Sequence, residues 1–126
     1  MEQAEFPYGA ETYQLIGRCM DVHNELGHGL LEIVYKSALE IELKGYDIPF
    51  EREKPFDIYY KGIALPHKFY ADFIVHGNII MEVKATAGII TADIAQTINY
   101  LKLSGCKLGL LVNFGRQKLE YKRIAL

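Results

Sequence analysis

Two apolar runs, Ile79–Ala85 and Lys107–Phe114, bracket a stretch beginning at Thr91 or Asp93 and reaching Leu103, which has helical spacing and closes at Ser104-Gly105. Strand, helix and strand in that order form a β-α-β unit, whose crossover is right-handed and leaves its two strands parallel. Lys107–Phe114 is almost unbroken in its hydrophobicity, as expected of a strand covered on both faces. The rest of the chain must be arranged around this unit. Glu11–Leu26 reads as a helix with Leu15, Ile16, Cys19, Met20 and His23 on one face, stopped by Gly27 and Gly29. A second helix runs from about Leu31 to Leu43 and ends at Lys44-Gly45. Short segments punctuated by Pro49, Pro55, Gly62 and Pro66 follow: Phe56–Tyr60, 69–75 and 79–85, an antiparallel meander. Leu119–Ala125 alternates and should lie at a sheet edge. The order α-α-β-β-β-α-β-β predicts an α/β fold with a mixed central sheet flanked by helices, the first two helices covering one sheet face. With 126 residues and neither repeat nor linker, one domain over 1–126 is expected.

Three charges fall where this fold should have core. Asp72 lies within Phe69–Val75, and Glu82 and Lys84 lie within Ile79–Ala85. An unpaired buried charge costs several kcal/mol, so these groups either compensate one another or hold a cation. Glu82 and Lys84 share a strand face because side chains alternate. Asp72 can join them only if the intervening turn has odd length. When His76-Gly77-Asn78 all form the loop, Val75 pairs with Ile79 and Asp72 lies across from Glu82. A two-residue loop would set Asp72 against Val83 and turn it away. Glu-x-Lys also occurs at Glu42-Leu43-Lys44 and Glu120-Tyr121-Lys122, but those copies lie near a helix end and in a polar strand, where solvated charges are expected.

Composition narrows the setting. Half the residues are hydrophobic and a quarter charged, as in an ordinary globular chain. No apolar run is long enough to span a bilayer, and the acidic N-terminus has no signal-peptide core, so a cytoplasmic location without membrane contact is expected. Cys19 and Cys106 offer neither a disulfide framework nor a zinc spacing and read as free thiols. Residues 1–101 hold 8 basic and 15 acidic side chains, whereas 102–126 hold six basic ones against Glu120 alone. That asymmetry fits either a phosphate-contacting edge or a lysine-protected edge strand.

Gln96 and Tyr100 are one helical turn apart on the helix that follows the Glu-x-Lys strand, so both can reach one ligand; an amphipathic core tyrosine beside a solvated glutamine has the same spacing. Glu32 lies within the arc set by Tyr35, Leu39 and Leu43 and therefore faces inward, although Glu42 falls near the same arc. His23, His28, His67 and His76 do not cluster at ligand spacing.

Gly29-Leu-Leu-Glu32-Ile-Val-Tyr35 resembles the Gly-x-x-Glu-x-x-Tyr signature of the GxxExxY proteins, small domains classed with the PD-(D/E)XK nuclease superfamily. The resemblance continues through Tyr60-Lys61-Gly62, Ala71-Asp72, Glu82-Val83-Lys84, Gln96-x3-Tyr100-Leu101 and Gly109–Gly115, with Ala71 in place of the proline before the aspartate. It implies a restriction-endonuclease-like core. It also implies catalytic positions at Asp72, Glu82 and Lys84, with Glu32 as the helix acid; Gln96 and Tyr100 are similar to the Gln-x3-Tyr motif of RecB-type nucleases. The expected chemistry is phosphodiester hydrolysis of nucleic acid, DNA first, as a nuclease or nickase. Asp72, Glu82 and the Val83 carbonyl are expected to hold Mg²⁺ or Mn²⁺, and Lys84 to orient or deprotonate a water. The alternative is a catalytically silent module that binds nucleic acid or a protein partner. A domain this small is expected to work as a homodimer or with a partner.

Overall fold

The computed structural model describes residues 8–126, so the acidic residues 1–7 lie outside it. The elements are α1 (Gly9–Leu26), α2 (Glu32–Gly45), β1 (Phe50–Tyr60), β2 (Ile63–Val75), β3 (Ile79–Lys84), α3 (Thr91–Ser104), β4 (Leu108–Asn113) and β5 (Glu120–Ala125). The sheet order is β1-β2-β3-β4-β5, with β3 and β4 parallel and every other neighbour antiparallel. The sheet is mixed and the fold α/β, as the element order predicts. β4 is buried along its whole length and β5 is an edge strand.

Each sheet face carries a hydrophobic core under helices, while Tyr59, Tyr60, Ile63 and Tyr70 of the β1–β2 hairpin stay exposed. On one face α1 and α2 set Leu15, Cys19, Tyr35, Leu39 and Leu43 against Phe73, Met81, Val83, Leu110 and Val112. On the other, α3 sets Leu101, with Ile94 and Ile98, against Ile74, Ile80 and Leu111. Met20 is 42% exposed, contrary to its expected place on the buried face of α1; Thr12 and Val22 are buried instead. At about 100° per residue Met20 lies at the margin of the arc centred on Cys19, so a small rotation of the helix exposes it. Gly109 permits close packing of α3 on β4, since a Cβ there would meet Thr97 Cγ2 at 2.6 Å.

The hairpin β1–β2 is longer than the proline pattern suggests. Pro55 pairs with Tyr70 on the outermost strand, where the missing N–H is tolerated, and Pro66 lies where the register shifts beyond Asp57. The hairpin also turns over. Phe50 packs with the α1/α2 cluster, whereas Phe56 and Ile58, of the same strand parity, pack with the α3 cluster. β2 changes sides in step, from Phe73 to Ala71 and Phe69. The crossing occurs at Glu53, whose φ is +55°, opposite Asp72; pairing is regular on either side, Arg52 with Phe73 and Lys54 with Ala71.

Candidate active site

β2 and β3 part where the hairpin turns over. Their pairing runs from Val75↔Ile79 through Ile74↔Ile80 to Phe73↔Met81, while β3 continues alongside β4 to Lys84↔Asn113. The loop is the three-residue His76-Gly77-Asn78, with positive φ at His76 and Gly77, so the register carries Asp72 across from Glu82. Beyond Phe73 the facing backbone donors have no partner strand, and carboxylates take them. Asp72 N–H donates to Glu82 Oε2 at 2.9 Å, and Val83 N–H donates to Asp72 Oδ2 at 2.8 Å. Each acid thus caps the opposing strand, and both are buried. Because the strand is turning over, Asp72 does not stand squarely beside Glu82 as simple alternation predicts. It lies in the seam between the strands and reaches toward α2.

From α2 comes Lys36, buried, donating to Asp72 Oδ1 at 2.9 Å and pairing with Glu53 at 2.5 Å and Glu32 at 3.9 Å. Glu32 opens α2 and is about half exposed, so it does not face fully inward as its helical arc predicts, because at the first turn the arc points past the sheet edge; Glu53 is equally exposed. The Gly29 φ of +104° and the Tyr35 hydroxyl shape the approach to that helix: the hydroxyl donates to Gly27 O at 2.7 Å and accepts Leu30 N–H at 3.2 Å, while the ring stacks on Phe114. Glu42, on nearly the same helical arc, lines the α1–α2 cleft of about 530 Å³ with Asp21, Glu25 and Tyr46. The helix therefore delivers Glu32, not Glu42, to Asp72.

Lys84 leans toward α3. It donates to Gln96 Oε1 at 3.3 Å and lies 3.9 Å from Asp93. Tyr100 stacks on Phe69 at 4.1 Å, and Phe69 in turn on Phe56 at 4.9 Å, a ladder that ties the turned-over hairpin to α3. Asp72, Glu82, Val83, Lys84 and Glu32 thus meet at one place, with Gln96 joined to it through Lys84. Tyr100 approaches from the α3 side, close enough to feel both carboxylates.

The electrostatics record this crowding. Burial, then the charge of Asp72, pushes the Glu82 carboxyl from 4.5 up to about 8, against the pull of Asp72 N–H, Lys84 and Lys36. Burial and Asp72 also raise Glu32, opposed by Lys36 and Lys84. For Lys36 burial is the largest influence and lowers its pKa, but the bonds to Glu53 and Asp72 outweigh it and the net shift is upward. The Tyr100 phenol is raised by burial and then by Glu82 and Asp72. Five carboxylates (Glu32, Glu53, Asp72, Glu82 and Asp93) thus face two ammonium groups, Lys36 and Lys84. Among the described residues, no three acidic, histidine or cysteine side chains are already gathered around one cation position.

Lys36, Glu53 and Asp93 are further site residues, outside the Asp72, Glu82 and Lys84 pattern and the Gln96–Tyr100 pair. Lys36 falls within about 20° of Leu43 on the helical wheel, which is the signal that points it inward. Glu53 precedes Pro55 in a stretch that reads as loop, and no periodicity marks it. Glu120, expected to be solvated, instead accepts Ile89 N–H at 3.0 Å and the Asn113 amide at 3.0 Å, anchoring the segment between β3 and α3.

Residues 9–124 match the family model described as PD-(D/E)XK nuclease superfamily. No curated protein matches the chain. The crystal structure of SSO0001 is similar at 23% identity with a TM-score of 0.60; the match covers 94% of this chain and 60% of that one, a likeness of fold.

Proposed function

The chain belongs to the PD-(D/E)XK nuclease superfamily, and from that membership we propose that it is a metal-dependent phosphodiesterase acting on DNA, as a nuclease or nickase, within the GxxExxY group. One observation carries the reading: Asp72, Glu82 and Lys84 converge where β2 and β3 separate, the carboxylates joined through each other's strand by bonds of 2.8 and 2.9 Å.

The donor set suits a hard divalent cation. Carboxylates outnumber ammonium groups five to two, and the Glu82 carboxyl, raised to about 8, needs positive charge beside it to ionise at neutral pH. N–H and C=O of one residue leave an extended strand on the same side, so the Val83 carbonyl faces the gap that its N–H faces. Asp72, Glu82 and the Val83 carbonyl would hold Mg²⁺ or Mn²⁺, which supplies charge at the scissile phosphate and acidity to a water. Lys84 Nζ orients that water and offsets charge developing on the phosphate. Gln96 Oε1 fixes the Lys84 ammonium, Tyr100 offers its phenol to a phosphate oxygen, and Glu32, 3.9 Å from Lys36, draws that ammonium toward the opening.

Residues 1–126 form one nuclease-like domain in this reading, cytoplasmic and working as a homodimer or with a partner. No described helix is long and apolar enough to cross a membrane. A second reading, a silent module that binds nucleic acid or a protein partner, draws support from the Lys36 ammonium on Asp72 Oδ1. Supercoiled plasmid, linear duplex, single-stranded DNA and RNA incubated with Mg²⁺ or Mn²⁺ separate the two. The nuclease reading expects nicked plasmid, lost with EDTA and in Asp72→Asn and Lys84→Ala. Cleavage indifferent to those changes, or none on any substrate, refutes it.

A further inference from the structure

We propose that Lys36 is a resident counter-cation of the site, which a divalent ion must displace from Asp72, making it a positioning residue that sets metal affinity. The inference rests on the reading of Asp72 and Glu82 as metal ligands. Both Asp72 oxygens are engaged: Oδ2 accepts Val83 N–H at 2.8 Å and Oδ1 accepts Lys36 Nζ at 2.9 Å. Each oxygen keeps a second lone pair, so the obstacle to ligation at Oδ1 is the ammonium charge held 2.9 Å from it, and easing that repulsion means moving Lys36. The Val83 N–H faces a gap with no neighbouring strand, and leaving a buried backbone donor unpaired is costly. Lys36 has a flexible four-carbon stem and a charge that repels an incoming cation.

An exit is built beside it. Lys36 is buried, whereas its two other partners, Glu53 at 2.5 Å and Glu32 at 3.9 Å, are each about half exposed. The ammonium can leave Asp72 and remain paired by following these side chains toward solvent. Glu53 lies at the turnover of the hairpin, so the route opens at the edge of the site rather than through the packed α1/α2 core. An ordinary ion pair fastening α2 to β2 would behave differently: it would stay in place when the ion binds, and its removal would weaken the ligand set.

Calorimetric titration of Mg²⁺ and Mn²⁺ into wild type and Lys36→Met tests this directly. Displacement predicts tighter binding by the variant, about ten- to a hundredfold, the range that one charge-assisted hydrogen bond is worth. Equal or weaker binding by Lys36→Met, with wild type binding, overturns displacement and leaves the metal site standing. No binding by either protein overturns both. Should Lys36→Met fail to fold, amine labelling of wild type read by mass spectrometry decides, with the exposed lysines as internal reference. Lys36 should be protected in EDTA and become reactive when Mg²⁺ saturates the protein. Labelling of Lys36 that does not change as the ion binds refutes the proposal.

Discussion

Glu82→Gln should make the metal-free protein more stable at alkaline pH while leaving it nearly unchanged in mild acid. The wild-type carboxyl is raised from 4.5 to about 8 on folding, by burial and by Asp72. The native state therefore holds a proton that the unfolded chain releases, and stability falls as pH rises through that window. Below 4.5 both states are protonated and nothing is lost; above 8 the full difference is felt. At about 1.36 kcal/mol per pH unit the loss approaches 5 kcal/mol, a large part of a typical domain's stability. Glutamine is neutral throughout and its oxygen can still accept Asp72 N–H, so the variant should lack this slope. Urea unfolding of both proteins in EDTA, from pH 5 to 9, measures it. Wild-type stability should decline by several kcal/mol relative to Glu82→Gln across that range, and saturating Mg²⁺ should flatten the wild-type curve by favouring the ionised carboxylate. Parallel curves for the two proteins without metal would refute the reasoning.

Tyr35→Phe should cost about 1–3 kcal/mol, because Gly27 O and Leu30 N–H lose the buried hydroxyl that joins them, and calorimetric melting checks it. Gly109→Ala should destabilise by a similar amount, since its methyl would press on Thr97, which is held by a 2.9 Å bond to Asp93 O; a melting temperature equal to wild type would contradict the packing. In solution the protein should be a dimer at micromolar concentration, read by light scattering with and without Mg²⁺ and DNA; a monomer throughout that still nicks DNA removes the dimer from the account.

The parts of the site legible in the sequence are those fixed by parity. His76-Gly77-Asn78 between two apolar runs sets Val75 against Ile79, and Asp72 against Glu82 follows from counting. Gln96 follows from helical spacing once α3 is placed after β3. What periodicity cannot carry is the turnover at Glu53 and Asp72, where both strands change face together and the register is kept. It arises from one left-handed residue and the parting of two strands, and neither leaves a composition signal. Lys36 was hidden for another reason. A lysine four residues after a glutamate on a helix usually forms a solvated pair, and only the acids arriving from β1 and β2 turn this one into a buried cation. Pro55, read as a break, proved harmless because β1 is an edge strand.

Crystals soaked in Mn²⁺ and measured at the manganese absorption edge show whether Asp72 and Glu82 hold a cation. An anomalous peak is expected about 2.1 Å from carboxylate oxygens of Asp72 and Glu82, with the Val83 carbonyl in the same shell. An empty gap at saturating Mn²⁺, or a peak that forms equally well in Asp72→Ala, would contradict the metal reading.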